Sequence, residues 1–296
     1  MKNIKQILGV IALMALIPLS VSAQDYTFMI LGTKGNVQVN GKTPKVGENL
    51  LANHTVTVPP NAYLGLAHAS GSTLEITQPG TYKVKDLEAK ISKEDALTGK
   101  FASFVIDEIT GKSDDGNGSR QVKYGSVTRN TKPVKINMPS KTAVLRGEVA
   151  LDWELKGKQD HVQTGPFKLV VKDISQNILM ETPVEGNSTV LDLNDEKLKG
   201  HDRLVYFVEA IDNKRLESGQ YLFEVKEAEV PQADKEQYEA LKSKDSALGK
   251  MMLAKFYEDK GLLPNAKMAY HEAIKLSFGS EQYQKVYERF AARYGL

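Results

Sequence analysis

From residue 25 to about residue 90 the chain alternates apolar and polar positions in short runs broken by turn residues. Thr27-Phe28-Met29-Ile30-Leu31 runs into Gly32, and Gly35-Asn36-Val37-Gln38-Val39-Asn40-Gly41 alternates with period two. Asn40-Gly41 is a strong hairpin signal, because both central residues of such a turn must accept positive φ. Val46 to Leu51 and Thr55 to Val58 continue the pattern. Tyr63 to His68 and Ser72 to Ile76 then flank Ala69-Ser70-Gly71, and Pro79-Gly80 precedes Tyr82-Lys83-Val84. Short strands at this spacing predict a β-roll or β-sandwich.

The period changes over residues 86–110. Ala96, Leu97, Phe101, Phe104, Val105 and Ile109 recur at helical spacing, with Asp86 or Ser92 as candidate caps. A polar stretch follows from Lys112 to Arg120, and Pro133 and Pro139 mark the approach to a new unit. Between Pro139 and Glu229 alternation returns in Ala143 to Leu145, Val149 to Trp153, Phe167 to Val171, Thr189 to Leu193, Arg203 to Ala210 and Tyr221 to Val225. About seven short strands with Trp153 on an early one predict an immunoglobulin-like sandwich. After Pro231, Tyr238, Leu241, Leu248, Met252, Leu253, Phe256 and Tyr257 recur every three to four residues, so the C-terminus is predicted helical. The expected fold class is multidomain and mainly β, a roll or sandwich plus an Ig-like sandwich, with an α-helical C-terminal region. The expected divisions are a signal peptide over 1–23, a β unit with a trailing helix over 24–110, a linker over 111–138, the sandwich over 139–229 and the helical region over 230–296.

The assignment of residues 1–23 rests on three features. Lys2 and Lys5 form a basic head, Ile7 to Leu19 an apolar run, and Val21-Ser22-Ala23 a small-x-small cleavage pattern, which places the mature start at Gln24 or Asp25. The run is shorter than the roughly 20 residues a membrane-spanning helix needs. Removing this segment lowers 39 basic residues to 37, equal to the 37 acidic ones. A balanced chain argues against a broad nucleic-acid footprint. The 296 residues contain no cysteine, which removes disulfides, thiol nucleophiles, thiolate zinc sites and a lipid-bearing cysteine. An exported, cysteine-free chain fits a bacterial envelope. The content of 41% hydrophobic residues is that of a chain with real cores.

Three stretches resemble known families. Gly35 to Gly41, then Lys45-Val46-Gly47-Glu48-Asn49-Leu50, then Leu64-Gly65-Leu66 through Leu74-Glu75-Ile76, are similar to the FecR-type periplasmic domain, which implies a β fold for the first unit. The 139–229 stretch is similar to the fibronectin type III-like modules of exported bacterial proteins and lacks the cysteine pair of immunoglobulin domains. Leu253, Ala254, Tyr257, Gly261, Ala266, Tyr270 and Ala273 stand at the offsets of a tetratricopeptide repeat, with Lys250 where that pattern has Trp and Phe278 where it has Pro. One full repeat followed by a helix from Glu281 to Arg293 implies a lone docking pair, since arrays are usually built from three or more.

Candidate chemistry is sparse. Asp114-Asp115-Gly116-Asn117-Gly118 has the middle of a calcium loop, with Ser113 and Tyr124 at the first and twelfth positions where stronger ligands are required, and is read as a solvated turn. His54, His68, His161, His201 and His271 show no metal spacing, and His68 is expected half-buried at a strand end. No nucleophile elbow, phosphate loop or dinucleotide fingerprint occurs. The close carboxylates, Asp114-Asp115 and Glu227 with Glu229, lie in polar segments and are read as surface.

The expected function is therefore non-catalytic. The chain is read as an exported scaffold of the cell envelope, periplasmic, envelope-associated or secreted, that docks an envelope protein through its helical region. Tyr257 and Tyr270 are expected in the helical core, while Tyr283, Tyr287 and Tyr294 form one stripe of the last helix that faces either Phe290 and the repeat or a partner; Tyr283, Tyr287 and Phe290 are the candidate docking residues. The alternative is an envelope sensor or glycan- or cell-wall-binding module using the FecR-like unit. No cofactor, metal, nucleic acid or mature membrane span is expected.

Overall fold

A computed structural model of the chain describes residues 26–91, 99–110, 132–156, 166–227 and 232–296. The expected signal segment, the Asp114–Asn117 turn, Ser92, His161 and Glu229 lie outside the described residues. Among the described residues there are 15 strands and 6 helices, and the C-terminus is helical.

The first unit holds β1 (Phe28–Lys34), β2 (Gln38–Val39), β3 (Asn49–Leu50), β4 (Thr55–Val58), β5 (Tyr63–His68), β6 (Thr73–Ile76) and β7 (Gly80–Lys83). They form an antiparallel sheet in the order β3-β1-β5-β6 and a second in the order β2-β4-β7. Asn40 and Gly41 have φ of 49° and 76°, and Val39 and Lys42 exchange backbone hydrogen bonds around them, as the Asn-Gly signal requires. Phe28, Ile30, Val37, Leu50, Val56, Leu64 and Leu66 are packed between the two sheets, with Val84 and Leu87 of helix α1 (Val84–Glu88) joining them.

The second unit holds β8 (Val134–Ile136), β9 (Lys141–Leu145), β10 (Glu148–Leu155), β11 (Phe167–Lys172), β12 (Ile178–Val184), β13 (Ser188–Asp192), β14 (Arg203–Ala210) and β15 (Tyr221–Lys226). One sheet runs β13-β10-β8 and the other β12-β11-β14-β15-β9, with β9 parallel to β15. Alternate residues of both sheets meet in one core around Trp153, which packs edge-on to Phe167 at 5.5 Å.

The helices are α2 (Gly99–Thr110), α3 (Gln232–Lys242), α4 (Ala247–Asp259), α5 (Leu263–Leu276) and α6 (Glu281–Tyr294). Ser246 caps α4 by accepting from the Gly249 amide at 3.1 Å, and Pro264 opens α5 where a missing amide costs nothing. Gly295 closes α6 at φ 69°. Ala254, Ala266, Ala269 and Ala273 are buried and keep α4 and α5 close. Phe278 adopts φ 53° in the α5–α6 turn, a conformation closed to the proline that the repeat pattern has there.

The helical core is not confined to the four C-terminal helices. It takes in Leu31, Tyr63 and Ala67 from the first unit, Leu145 from β9 and Val105 from α2. In β5, Leu64 and Leu66 face the inner core while Tyr63 and Ala67 join the helical one, so the strand is covered on both sides. β9 divides likewise, with Val144 in the sandwich and Leu145 under the helices. The helix expected to trail the first unit touches β1 but also packs on α4 and α6.

Candidate functional site

The sites with the most chemistry are the contacts between the helices and the two β units. On the first unit, Gly32 of β1 and Gly65 of β5 stand directly opposite each other beside a bulge in β1. A Cβ on Gly32 would lie 2.8 Å from the Tyr283 ring, and one on Gly65 would lie 2.8 Å from the Tyr63 hydroxyl. The absent side chains make the seat into which α6 places Tyr283. The Tyr63 and Tyr283 rings meet edge to face at 5.7 Å, and their hydroxyls are 2.7 Å apart. Burial pushes both phenols well above their ordinary value, so this is a hydrogen bond between neutral groups.

Beside them Glu75 of β6 reaches across to the start of α4. Its carboxylate accepts from the Ala247 amide at 3.1 Å and the Leu248 amide at 2.5 Å. A carboxylate at a helix N-terminus is favoured by the unpaired amides and the helix dipole. Burial nevertheless outweighs those amides and holds the Glu75 carboxyl above its ordinary range. Nearby, Ser280 donates to the Thr33 carbonyl at 3.1 Å, and Lys34 donates to the Gly279 carbonyl at 3.2 Å.

On the second unit the contact is ionic. Lys267 of α5 is 1% exposed and pairs with Asp152 of β10, while donating to the Asn137 carbonyl at 3.1 Å. The Asn137 amide donates to the other Asp152 oxygen at 2.7 Å. Asn265 of α5 accepts from the Leu145 amide at 3.0 Å. One turn beyond Lys267, the His271 ring meets Tyr287 edge-on at 4.5 Å. Burial, reinforced by Lys267, pushes this imidazole below its ordinary value, with Asp152 acting the other way. Burial also pushes the Tyr287 phenol up to about 12.

These placements correct the expected docking stripe. Tyr283 and Phe290 are both fully buried, Tyr283 on the first β unit and Phe290 against Tyr270 at 4.8 Å. An amphipathic helix buries its apolar stripe on the nearest apolar face, and here that face belongs to the same chain. Tyr287 is half-buried. Tyr257 and Tyr270 are buried in the helical core as expected. The signal for the double contact was present in Tyr63-Leu64-Gly65-Leu66-Ala67, an apolar run without alternation that marks a strand covered on both faces.

The remaining candidates take structural places. His68 is half-buried at the end of β5, edge-on to Phe28 at 5.1 Å and 2.7 Å from the Ser70 hydroxyl. His54 accepts from the Leu51 amide at 3.3 Å. Glu227 pairs with Arg146 at 2.8 Å. No group of three or more His, Asp or Glu residues is placed to hold a metal ion among the described residues. Phe278, in the α5–α6 turn, is 47% exposed. A cleft of about 170 Å³ in the first unit is lined by Gln78, Tyr82, Leu87 and Lys90, with the Lys90 ammonium over the Tyr82 ring at 5.1 Å. No protein-family model matches the chain, and no curated protein sequence matches it.

Proposed function

We propose that the chain is an exported, non-catalytic scaffold of the bacterial cell envelope, in which the helical region ties two β units together and offers what remains of its surface to a protein partner. The support for export is the basic, apolar and small-residue order of residues 1–23. The FecR-like, fibronectin type III-like and tetratricopeptide-like resemblances point to modules of that setting. The observation that carries the scaffold reading is the double seating of the helices. Tyr283 is buried on the first unit and Lys267 on the second, so the helical layer couples both units into one arrangement. Partner contact then falls to exposed positions of the helical region, Phe278 and the half-buried Tyr287.

The test is crosslinking in the native envelope with the full chain, beside a full-length Phe278→Ser, Tyr287→Ser variant. Capture of one defined protein by the wild type and its loss in the variant supports the reading. Equal capture by both moves the contact to the β units. N-terminal sequencing of the purified protein should begin at Gln24 or Asp25, and a start at Met1 overturns export.

A second reading is favoured by the cleft at Tyr82 in the first unit. Its polar lining, Gln78 and Lys90 beside Tyr82, is suited to the hydroxyls of a sugar. In this alternative the first unit is a glycan- or cell-wall-binding module. Purified cell-wall material should then bind the full chain and be released by Tyr82→Ala.

A further inference from the structure

Helix α2 is held by few buried side chains, unlike the central helix α4. Its described side chains run from Phe104 to Ile109, and of these only Val105 and Glu108 are buried, at 1% and 4% exposure. Phe104, Ile106 and Ile109 are half-buried against the helical core, and Asp107 is exposed. By contrast, ten of the thirteen residues of α4 are buried. A twelve-residue helix is marginal in water by itself, so the order of α2 depends on its seat.

The seat is chemically specific. Glu108 accepts from Arg289 Nε at 3.0 Å and from Arg293 Nη2 at 3.3 Å, and Arg289 also donates to the Glu108 carbonyl. Lys255 of α4 lies over the Phe104 ring at 5.0 Å. The pair of guanidiniums is built for a planar carboxylate. Their side chains remain 33% and 34% exposed, so an incoming carboxylate can meet them from solvent as Glu108 leaves. Behind them the position of Arg293 is maintained by Glu258, itself held by Tyr270 at 3.0 Å and Tyr294 at 3.1 Å.

We infer that the seat on α4 and α6 is an exchangeable helix-binding site, filled in this structure by the chain's own α2, whose partner is an amphipathic helix carrying an aromatic residue, a β-branched residue beside it and an acid four positions after the aromatic. That is the pattern of Phe104, Val105 and Glu108. α2 is then an internal occupant that an envelope protein with such a helix displaces. The inference rests on the scaffold reading for the identity of its partner, but its test uses no partner, so either can fail alone.

The probe is a labelled peptide of the sequence Gly99–Thr110, added to the full chain carrying Val105→Asp to expel its own helix. The peptide should bind this variant at least about tenfold more tightly than it binds the wild type, whose seat is filled. Replacing Glu108 by Gln in the peptide, or Arg289 by Ala in the variant, should weaken binding by about tenfold or more, the size of one charge-assisted hydrogen bond. A folded, monodisperse variant that ignores the peptide, or that binds the Glu108→Gln peptide equally well, overturns the inference. Hydrogen exchange of the wild type is the second measurement and needs no variant. The α2 amides should exchange at least about tenfold faster than those of α4, and exchange of α2 only together with α4 overturns it.

Discussion

The hydroxyl of Tyr63 lies 2.7 Å from that of Tyr283, 220 residues further along the chain, and neither ring is exposed to solvent. This one contact joins the last helix to a strand near the N-terminus. It exists because Gly32 and Gly65, paired across β1 and β5, leave room for the second ring.

Replacing Gly32 by Ala puts a methyl group 2.8 Å from the Tyr283 ring, a contact that real side chains do not tolerate without a shift. The cost should be about 1–3 kcal/mol, typical of overpacking. Combining Gly32→Ala with Tyr283→Leu should cost less than the sum of the two single changes. A denaturant-melting double-mutant cycle measures the difference, and strict additivity would mean the two residues do not share the space.

Tyr283→Phe should destabilise by about 0.5–1.5 kcal/mol, the loss of one hydrogen bond, because the Tyr63 hydroxyl keeps Glu75 as a partner. Tyr63→Phe should cost more, about 1–3 kcal/mol, because it takes a hydrogen-bond partner from both Tyr283 and the buried Glu75. A different behaviour is expected at Tyr206, whose buried hydroxyl has no hydrogen-bond partner among the described residues while its ring stacks on Phe223 at 4.2 Å. Tyr206→Phe keeps the stack and removes an unsatisfied group, so its Tm should equal or exceed that of the wild type.

Glu75 makes stability depend on pH with a definite sign. Its carboxyl titrates higher in the folded chain than in the unfolded one, so the folded state binds the proton more tightly. Its contribution is therefore fully present below the ordinary Glu value of about 4.3 and is lost as pH rises through the raised folded value. Glu75→Gln keeps the shape and removes the proton. The wild-type Tm minus the variant Tm should fall from about pH 4 upward, and a flat difference would show that the carboxyl is not enclosed in solution.

The Lys267–Asp152 pair should be asymmetric under substitution. Asp152 has a side chain 36% exposed and Lys267 one that is 1% exposed. Asp152→Ala leaves a buried cation without its anion and should cost about 3–5 kcal/mol. Lys267→Met leaves a carboxylate that still reaches water and the Asn137 amide, so it should cost less. Chemical denaturation of the two variants decides it, and equal losses would sink this account of the junction.

Much of the local architecture could be read from the residue order. Short apolar runs marked β1 and β5, alternating or β-branched runs marked β10, β11, β14 and β15, Asn40-Gly41 marked its turn, and the recurrence from Tyr238 onward marked a helical end. Periodicity works because alternation and the helical stripe record that one face of an element leaves water. They do not record what covers that face. Tyr283, Tyr287 and Tyr294 were legible as one stripe, yet the surface that takes Tyr283 is a strand more than two hundred residues away. The same limit hid the seat of α2, the reach of Glu75 to α4 and the burial of Lys267 against Asp152. Each depends on distant backbone segments brought together by the collapse of three apolar cores, and only the assembled tertiary structure decides which charges and rings then face one another.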